Sequence, residues 1–400
     1  MWGGLEERLG VRTAPKEPDS ESISGPSEPQ ASQAQDPPRK RPPFNLFGGL
    51  DFFGGLDGAL GVTVKPKQPT AEEPEMLLTA TVPVATQPLR SIFQPGRTSN
   101  DTDPPLVVLV HGLESHSGTW DNLMSRFASS PDQSPAFLAV DLRGHGLSSI
   151  GDPGEFHPAT LAADVMQCAD KHNTSGDRFI LVGHSMGSRV ATRLVADFPG
   201  RVSHLVIEDM DARLFDGMEY FGVQWRENGF DYEKAKEFQL SGESVKEVAK
   251  KLIEAAGPGT FQKDRVDGYV QRSRIFETPN GRTLSLIQPL GFCLAFDNVL
   301  GVDDMAAGIE EIAEAHRRTR QSSENTTVHL WRASEESGES CAASVPGERG
   351  GVSWILETLG PDVHDAVFPN TGHSVHNDVG EVYEEKLREL AFGGTPATFE

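Results

Sequence analysis

The chain has 400 residues, 37% of them hydrophobic, which is enough for one large α/β domain with extra segments or for two small domains. Its 59 acidic and 36 basic side chains give a formal net charge of -23 at pH 7, and so acidic a surface repels the phosphates of nucleic acids and of anionic lipids. We therefore expect no nucleic-acid partner.

The cysteines and the N-terminal residues indicate the cellular compartment in which the protein is expected. Cys168, Cys293 and Cys341 are odd in number and far apart, which fits neither a disulfide framework nor a zinc-binding spacing. The N-terminal residues lack the apolar core of a signal peptide and the acid-poor composition of a transit peptide, and no apolar run reaches about 18 residues. The sequence predicts a soluble intracellular protein, cytoplasmic by default, without a metal site.

Residues 1–75 are predicted to be a disordered, low-complexity N-terminal extension. Residues 13–45 are rich in Pro, Ser, Glu and Gln, and FGGLD then occurs at 47–51 and again at 53–57. The Phe and Leu side chains of this repeat make the extension a candidate for peripheral membrane contact or protein contact. The sequence gives no indication of the oligomeric state.

Short β-rich runs begin at about residue 76. MLLTATV and LRSIF come first, and the apolar runs PLVVLV, PAFLAV, RFILV and VSHLVIE then alternate with stretches that can hold a helix. Continuous apolar strands alternating with helices indicate a mostly parallel sheet covered by helices on both faces. We expect residues 76–211 to form the first part of an α/β core.

The strand pattern stops after Asp211 and resumes at 326–332 (TTVHLWR) and 364–370 (HDAVFPN). The segments between read as helices, such as SVKEVAKKLIEAAGP with a cap at Ser244. A helical insertion between strands of one sheet is typical of a lid, so residues 212–325 are predicted to form a helical lid. Residues 326–392 are then the second part of the core, and residues 393–400 are predicted to be a disordered tail.

One short stretch, LVGHSMGS, places Ser185 between Gly183 and Gly187, after a buried strand and before a helix. This order of strand, tight turn and helix is that of a nucleophile elbow, which exposes a serine hydroxyl above the edge of the sheet. The backbone N–H of Met186 is then one candidate oxyanion donor. The turn has Ser188 where such elbows more often have glycine.

A reactive serine needs a base and a second oxyanion donor. His373, in the loop after the last strand, is the candidate base, and His376 is a weaker one. The backbone N–H of Leu113, in the HGL loop after the strand LVVLV, is the candidate second donor. In DLRGHGLSS, Arg143 is expected to position the turn, and His145 to be a packed turn residue.

Four motifs, VHGLESHSGTW, VDLRGHGLSS, LVGHSMGS and TGHSVHND, occur in this order and resemble the serine α/β-hydrolase superfamily over about residues 76–392. They look most like its small-acyl esterase branch. The resemblance implies an α/β-hydrolase fold. It also implies hydrolysis of a small-molecule carboxylic ester or thioester through an acyl-enzyme, with no cofactor.

The acid of the Ser-His-acid triad has three candidates. Asp209, in VIEDMD after the next strand, matches the position used in the esterase branch, whereas Glu335 takes the usual superfamily place before the final histidine. We favour Asp209 because Glu335 lies in the polar loop SEESGESCAAS, which is typical of a solvated turn. Asp211 is the third candidate.

Two other functions fit the same residues. One is a ligand receptor or scaffold of this fold that turns substrate over slowly or not at all. The other is a carbon–carbon bond hydrolase with the same triad. The apolar segments GMEYFGVQW and LIQPLGFCLAF suit either an acyl pocket or the core of the lid, so the sequence does not indicate the acyl-chain length.

Overall fold

The computed structural model describes residues 86–98, 103–173, 176–215, 240–256, 267–270, 274–319, 325–334, 340–342 and 348–393. The predicted extension at 1–75, the run MLLTATV and residues 394–400 of the predicted tail lie outside the described residues.

A seven-stranded sheet forms the centre of the described structure. Its strands are β1 (Ser91–Gln94), β2 (Leu106–Val110), β3 (Ala136–Val140), β4 (Phe179–His184), β5 (Val202–Glu208), β9 (Thr327–Ala333) and β10 (Val363–Phe368). Their order is β1-β3-β2-β4-β5-β9-β10, and every pair is parallel except β1 with β3. The prediction of a mostly parallel sheet is confirmed.

The helices of the described residues are α1 (Asp121–Ser129), α2 (Pro158–His172), α3 (Met186–Asp197), α4 (Val245–Ala256), α5 (Pro289–Ala295), α6 (Asp304–Arg318), α7 (Val352–Leu359), α8 (Val375–Asp378) and α9 (Gly380–Phe392). Among these residues, no helix combines the length and the apolar character that crossing a membrane requires.

Helices cover both faces of the sheet, as predicted. Alternate residues of β2 point to opposite sides, so that Val107 and Leu109 pack in one core with α1 and α9, while Val108 and Val110 pack in another with α2 and α3. A strand buried on both sides needs apolar residues at every position, which explains the uninterrupted run LVVLV.

The segment 212–325 lies between β5 and β9, which are neighbours in the sheet. It contains helices, as predicted, but also a small antiparallel sheet of β6 (Ser241–Gly242), β7 (Ile275–Glu277) and β8 (Thr283–Ser285), so it is not purely helical. These strands are too short for a periodic pattern. The signal that could have revealed them is Asn280-Gly281, a hairpin dipeptide in which Gly281 has φ +77°.

Helix α6 also lies in this segment, but it packs on core helix α3. A Cβ added at Gly308 would lie 3.1 Å from Thr192, and Ile309 and Ile312 belong to the same core cluster as Val190.

The carboxyl ends of the parallel strands meet at one edge of the sheet, where open α/β sheets bind ligands. That edge carries five segments that bear on the site: the loop at 111–113 after β2, Ser185 after β4, Asp209 after β5, residues 340–342 beyond β9, and His373 beyond β10.

Candidate active site

Ser185 occupies the sharp turn between β4 and α3. Its backbone angles are φ 53° and ψ -124°, a conformation that non-glycine residues seldom adopt, and it is almost fully buried. The turn is held by hydrogen bonds from the Ser185 N–H to the Glu208 carbonyl (2.9 Å) and from the Ser188 N–H to the Ser185 carbonyl (2.8 Å). Such a strained serine between strand and helix has the geometry of a nucleophile elbow.

Two glycines allow the backbone to approach this turn closely. A Cβ at Gly187 would lie 2.5 Å from the carbonyl oxygens of Val110 and His111, and one at Gly112 would lie 2.9 Å from the Ser185 Cβ. The unusual Ser188 is accommodated because its hydroxyl donates to the Gly183 carbonyl at 2.6 Å.

The acid that contacts His373 is Asp209. The His373 Nδ1 lies 2.7 Å from the Asp209 Oδ2. Asp211, in contrast, directs its carboxylate to the Arg213 guanidinium at 2.8 Å, and Glu335 lies outside the described residues.

Asp209 is fully buried and has a positive φ of 46°. Besides His373, its carboxylate accepts hydrogen bonds from the Ala333 N–H (2.9 Å), the Ser340 hydroxyl (2.7 Å) and the Cys341 N–H (2.9 Å). The loop after β9 therefore supplies donors to an acid that follows β5. These donors fix the direction from which the carboxylate meets the imidazole.

The contact with Asp209 sets the tautomer of His373. A carboxylate accepts only, so in the neutral imidazole Nδ1 carries the proton and Nε2 keeps a lone pair. This Nε2 lies 3.6 Å from the Sγ of Cys341, which is fully buried. Burial raises the pKa of the Cys341 thiol well above its usual value, and the charges of Asp209 and Asp211 raise it further.

The two candidate oxyanion donors belong to segments that adjoin the turn at Ser185. Met186 is the first residue of α3, where backbone N–H groups have no carbonyl partner within the helix. Leu113 directly follows Gly112, which touches the turn at Ser185.

The residue after Leu113 contacts the inserted segment. Glu114 is buried with a positive φ of 57°, and its carboxylate accepts a hydrogen bond from the Tyr269 hydroxyl. Strain in the backbone next to a candidate oxyanion donor is typical of a functional loop.

A second group of buried polar residues, which the sequence analysis missed, adjoins the candidate triad. We call it the rear cluster: His184, Glu208, His376 and Tyr383. The Glu208 Oε1 accepts from the His376 N–H (3.0 Å) and lies 2.6 Å from His376 Nδ1, and Oε2 accepts from the Tyr383 hydroxyl (2.8 Å). His376, the weaker candidate base, is therefore paired with Glu208 and not with Asp209.

The rear cluster is joined to the candidate triad through the backbone. His184 precedes Ser185 and Glu208 precedes Asp209 in the chain, and the His184 Nε2 lies 2.9 Å from the His373 carbonyl. The Trp120 ring lies 4.2 Å from that of His376. A glutamate at the end of the apolar strand VSHLVIE is the signal that could have revealed this cluster.

Electrostatics within the rear cluster favour an ionised Glu208. Burial raises the pKa of this carboxyl, but the electrostatic effects of His376 and His184 and the hydrogen bonds from His376 outweigh it, so that the pKa falls to about 2. Burial lowers the pKa of His184 to about 3, which keeps that imidazole neutral near pH 7.

The turn after β3 contacts the loop that follows β2. The Asp141 carboxylate accepts from the Ser117 N–H (2.6 Å) and the Leu147 N–H (2.8 Å), and Arg143 forms a buried ion pair with Asp164 at 2.8 Å. His145 is buried, with Nδ1 at 3.1 Å from the Arg143 carbonyl. His145 is therefore a packed turn residue, as the sequence analysis expected.

Comparison with known proteins gives the same fold. Residues 105–245 match the family described as alpha/beta hydrolase fold. A solved structure described as a marine microorganism esterase superposes with a TM-score of 0.50 at 14% identity, covering 76% of this chain and 98% of that one. At this identity the likeness is one of fold.

Two curated relatives are similar in sequence. A serine hydrolase-like protein of Danio rerio is 30% identical over 149 residues, which cover 33% of this chain and 44% of that protein. A monoacylglycerol lipase of Mycolicibacterium smegmatis is 32% identical over 124 residues, which cover 30% of this chain and 42% of that protein. The chain thus spans less than half of the length of these relatives. Together with the sheet order, the match over residues 105–245 shows an α/β-hydrolase fold.

Proposed function

We propose that this protein is a serine hydrolase that cleaves a carboxylic ester or thioester through an acyl-enzyme. The observation that carries the proposal is the 2.7 Å contact between His373 Nδ1 and Asp209, at the strand edge where Ser185 occupies a strained elbow turn. The curated names serine hydrolase-like protein and monoacylglycerol lipase support the same reaction class.

In the first half of the reaction, the Ser185 hydroxyl attacks the acyl carbonyl carbon. His373 Nε2 takes the hydroxyl proton, while Asp209 orients the imidazole and stabilises its positive charge. The Leu113 and Met186 N–H groups donate to the oxyanion. The carbon–oxygen or carbon–sulfur bond then breaks, and the His373 proton goes to the leaving group.

In the second half, water attacks the acyl carbonyl of the ester on Ser185. His373 Nε2 takes a proton from this water, and the same two N–H groups hold the second oxyanion. Return of the proton to Ser185 releases the carboxylic acid and restores the starting state. The cycle needs no cofactor.

We propose that the segment 212–325 forms the lid over this site and shapes the acyl pocket. The hydrogen bond from Tyr269 to Glu114 supports this role, because it joins the segment to the residue beside Leu113. Helix α6 packs on α3, so its part in the lid is structural support.

The proposal is tested by hydrolysis of p-nitrophenyl esters from acetate upward, with Ser185→Ala as the variant and Ser188→Ala as the matched control. We expect turnover with a preferred chain length in the wild type, loss of turnover in Ser185→Ala and retained turnover in Ser188→Ala. Tight ester binding without turnover in folded wild-type protein would instead favour a ligand receptor. Cleavage of a vinylogous diketone, but of no ester, would favour a carbon–carbon bond hydrolase.

A further inference from the structure

The thiol of Cys341 has no part in the proposed reaction, yet it lies against the lone pair that the reaction uses. Its Sγ is 3.6 Å from His373 Nε2. Within the described residues, Asp209, Cys341 and His373 form one of two groups whose potential metal-binding atoms all lie within 4.8 Å of one another.

The spacing of this thiol and this imidazole fits one zinc ion. Zinc binds thiolate sulfur at about 2.3 Å and imidazole nitrogen at about 2.0–2.1 Å with tetrahedral angles, which places the two ligand atoms about 3.6 Å apart. The Sγ–Nε2 distance of 3.6 Å matches that separation. The separation of the two atoms is therefore compatible with one ion bound to both.

The surroundings of the pair are those of a metal-bound histidine. In protein metal sites, the ring nitrogen that does not bind metal commonly donates to a carboxylate, which fixes the tautomer and the ring orientation. His373 Nδ1 makes this contact with Asp209 at 2.7 Å. The Cys341 N–H donates to the same carboxylate at 2.9 Å, so Asp209 holds both ligand residues in place.

The carboxylates near the thiol act on it more strongly than the nearby cations do. Asp209 and Asp211 raise the pKa of Cys341, and Arg213 and Arg189 oppose them with smaller effects. Asp209 itself has no Lys or Arg among its hydrogen-bond partners in the described residues. Binding breaks the Cys341 S–H bond, forms a sulfur–zinc bond and releases one proton to the solvent. Water completes the coordination.

We propose that Cys341 and His373 form an inhibitory site for Zn²⁺. The ion takes the Nε2 lone pair that otherwise accepts the Ser185 proton, so binding of the ion and acylation exclude each other. The inhibitory consequence rests on the proposed function, whereas metal binding does not. Mg²⁺ and Ca²⁺ prefer oxygen ligands and are expected to leave the site empty.

Binding is tested on the full-length protein with Co²⁺ as a spectroscopic substitute for zinc. We expect a thiolate-to-cobalt charge-transfer band in the near ultraviolet for the wild type and for the matched control Cys168→Ala. Cys341→Ser and Cys341→Ala should lack the band. Zinc should displace the cobalt and abolish it. Absence of the band in the wild type, or its persistence in either Cys341 variant, would overturn the proposal.

Inhibition is tested by zinc titration of ester hydrolysis, with each protein normalised to its own rate without metal. The Cys341 variants should need at least about tenfold more zinc for half-inhibition than the wild type and Cys168→Ala, because they lack one ligand. Chelation should restore the wild-type rate. Equal zinc sensitivity in all four proteins would refute the inhibitory site. If the wild type hydrolyses no ester, the proposed function fails, while the cobalt band still decides the metal site.

Discussion

Asp209 is the residue on which the proposed chemistry depends most. Its carboxylate accepts four hydrogen bonds and is fully buried, so its orientation toward His373 is fixed before substrate arrives. Preorganised groups of this kind stabilise charge in the transition state without reorganisation. In the proposed reaction, the imidazolium that forms during acylation is the charge that Asp209 stabilises.

Replacement of this carboxylate should therefore lower turnover sharply. We expect Asp209→Asn to reduce kcat by roughly 10³–10⁴-fold with little change in KM, because the amide orients the wrong tautomer of the imidazole. The measurement is steady-state hydrolysis of the preferred p-nitrophenyl ester. Glu335→Gln is the matched control and should keep most of the activity. The reverse pattern would make Glu335 the acid.

Sequence reasoning could single out Ser185 and His373 as candidates because each stands in a motif whose neighbours define the turn around it. It could only rank the acids, because the choice depends on which carboxylate the fold directs to His373, and those residues are 164 positions apart. Sequence reasoning missed the rear cluster for the same reason. Glu208 ends an apolar strand, but its partner Tyr383 is 175 positions away, so the sequence does not show what the glutamate contacts.

The rear cluster offers a prediction for stability. Glu208 has a pKa of about 2 in the fold against 4.5 ordinarily, so its ionised form stabilises the protein above pH 4.5, and this stabilisation is lost as the pH falls toward 2. We expect Glu208→Gln to lower the free energy of unfolding by roughly 3 kcal/mol at pH 7. At pH 4, urea denaturation should show that the difference in free energy of unfolding between the variant and the wild type is smaller by about 1 kcal/mol than at pH 7. A gap that widens on acidification would be inconsistent with an ionised Glu208.

At the scale of elements, buried polar contacts join the loops at the carboxyl edge to the helices beneath them. The pair of Arg143 and Asp164 connects the turn after β3 to α2, and both side chains are almost fully buried. Burial raises the pKa of Asp164 even with Arg143 beside it, so the pair itself adds little to stability. Loss of one partner has a larger effect, since the other charge then stays buried without this counterion.

We therefore expect Asp164→Asn to destabilise the fold by about 3–5 kcal/mol, because it leaves the Arg143 guanidinium without its counterion. The matched control is Glu314→Gln, which removes the exposed partner of Arg317 and Arg318 and should change the free energy of unfolding by less than about 1 kcal/mol. Urea denaturation at pH 7 compares the two. Similar small effects for both variants would mean that the buried pair is dispensable.

The whole molecule combines an acidic surface with histidines that are buried in a neutral state. Burial lowers the pKa of both His184 and His329 to about 3, against 6.5 ordinarily. Below pH 6.5 these two histidines bind protons in the unfolded chain, whereas in the folded chain they stay neutral until about pH 3. Stability must therefore fall as the pH drops through this window.

Each such histidine should cost about 1.4 kcal/mol of stability between pH 7.5 and pH 5.5. His329 is not one of the candidate active-site residues. Its Nε2 lies 3.0 Å from His204 Nδ1. We expect His329→Gln to lose less stability over this pH range than the wild type, by about that amount. Unfolding curves at the two pH values measure this difference in the free energy of unfolding. Equal losses of stability in the variant and the wild type would count against a neutral His329.

The central claim is that Ser185 is a nucleophile activated by His373 and Asp209. The most direct measurement is labelling of the folded, full-length protein by a fluorophosphonate probe, with the modified residue located by peptide mass spectrometry. We expect one phosphonyl group on Ser185, no labelling of Ser185→Ala and labelling at least about 10³-fold slower in Asp209→Asn. An unlabelled wild type, or labelling of Asp209→Asn at the wild-type rate, would contradict the claim.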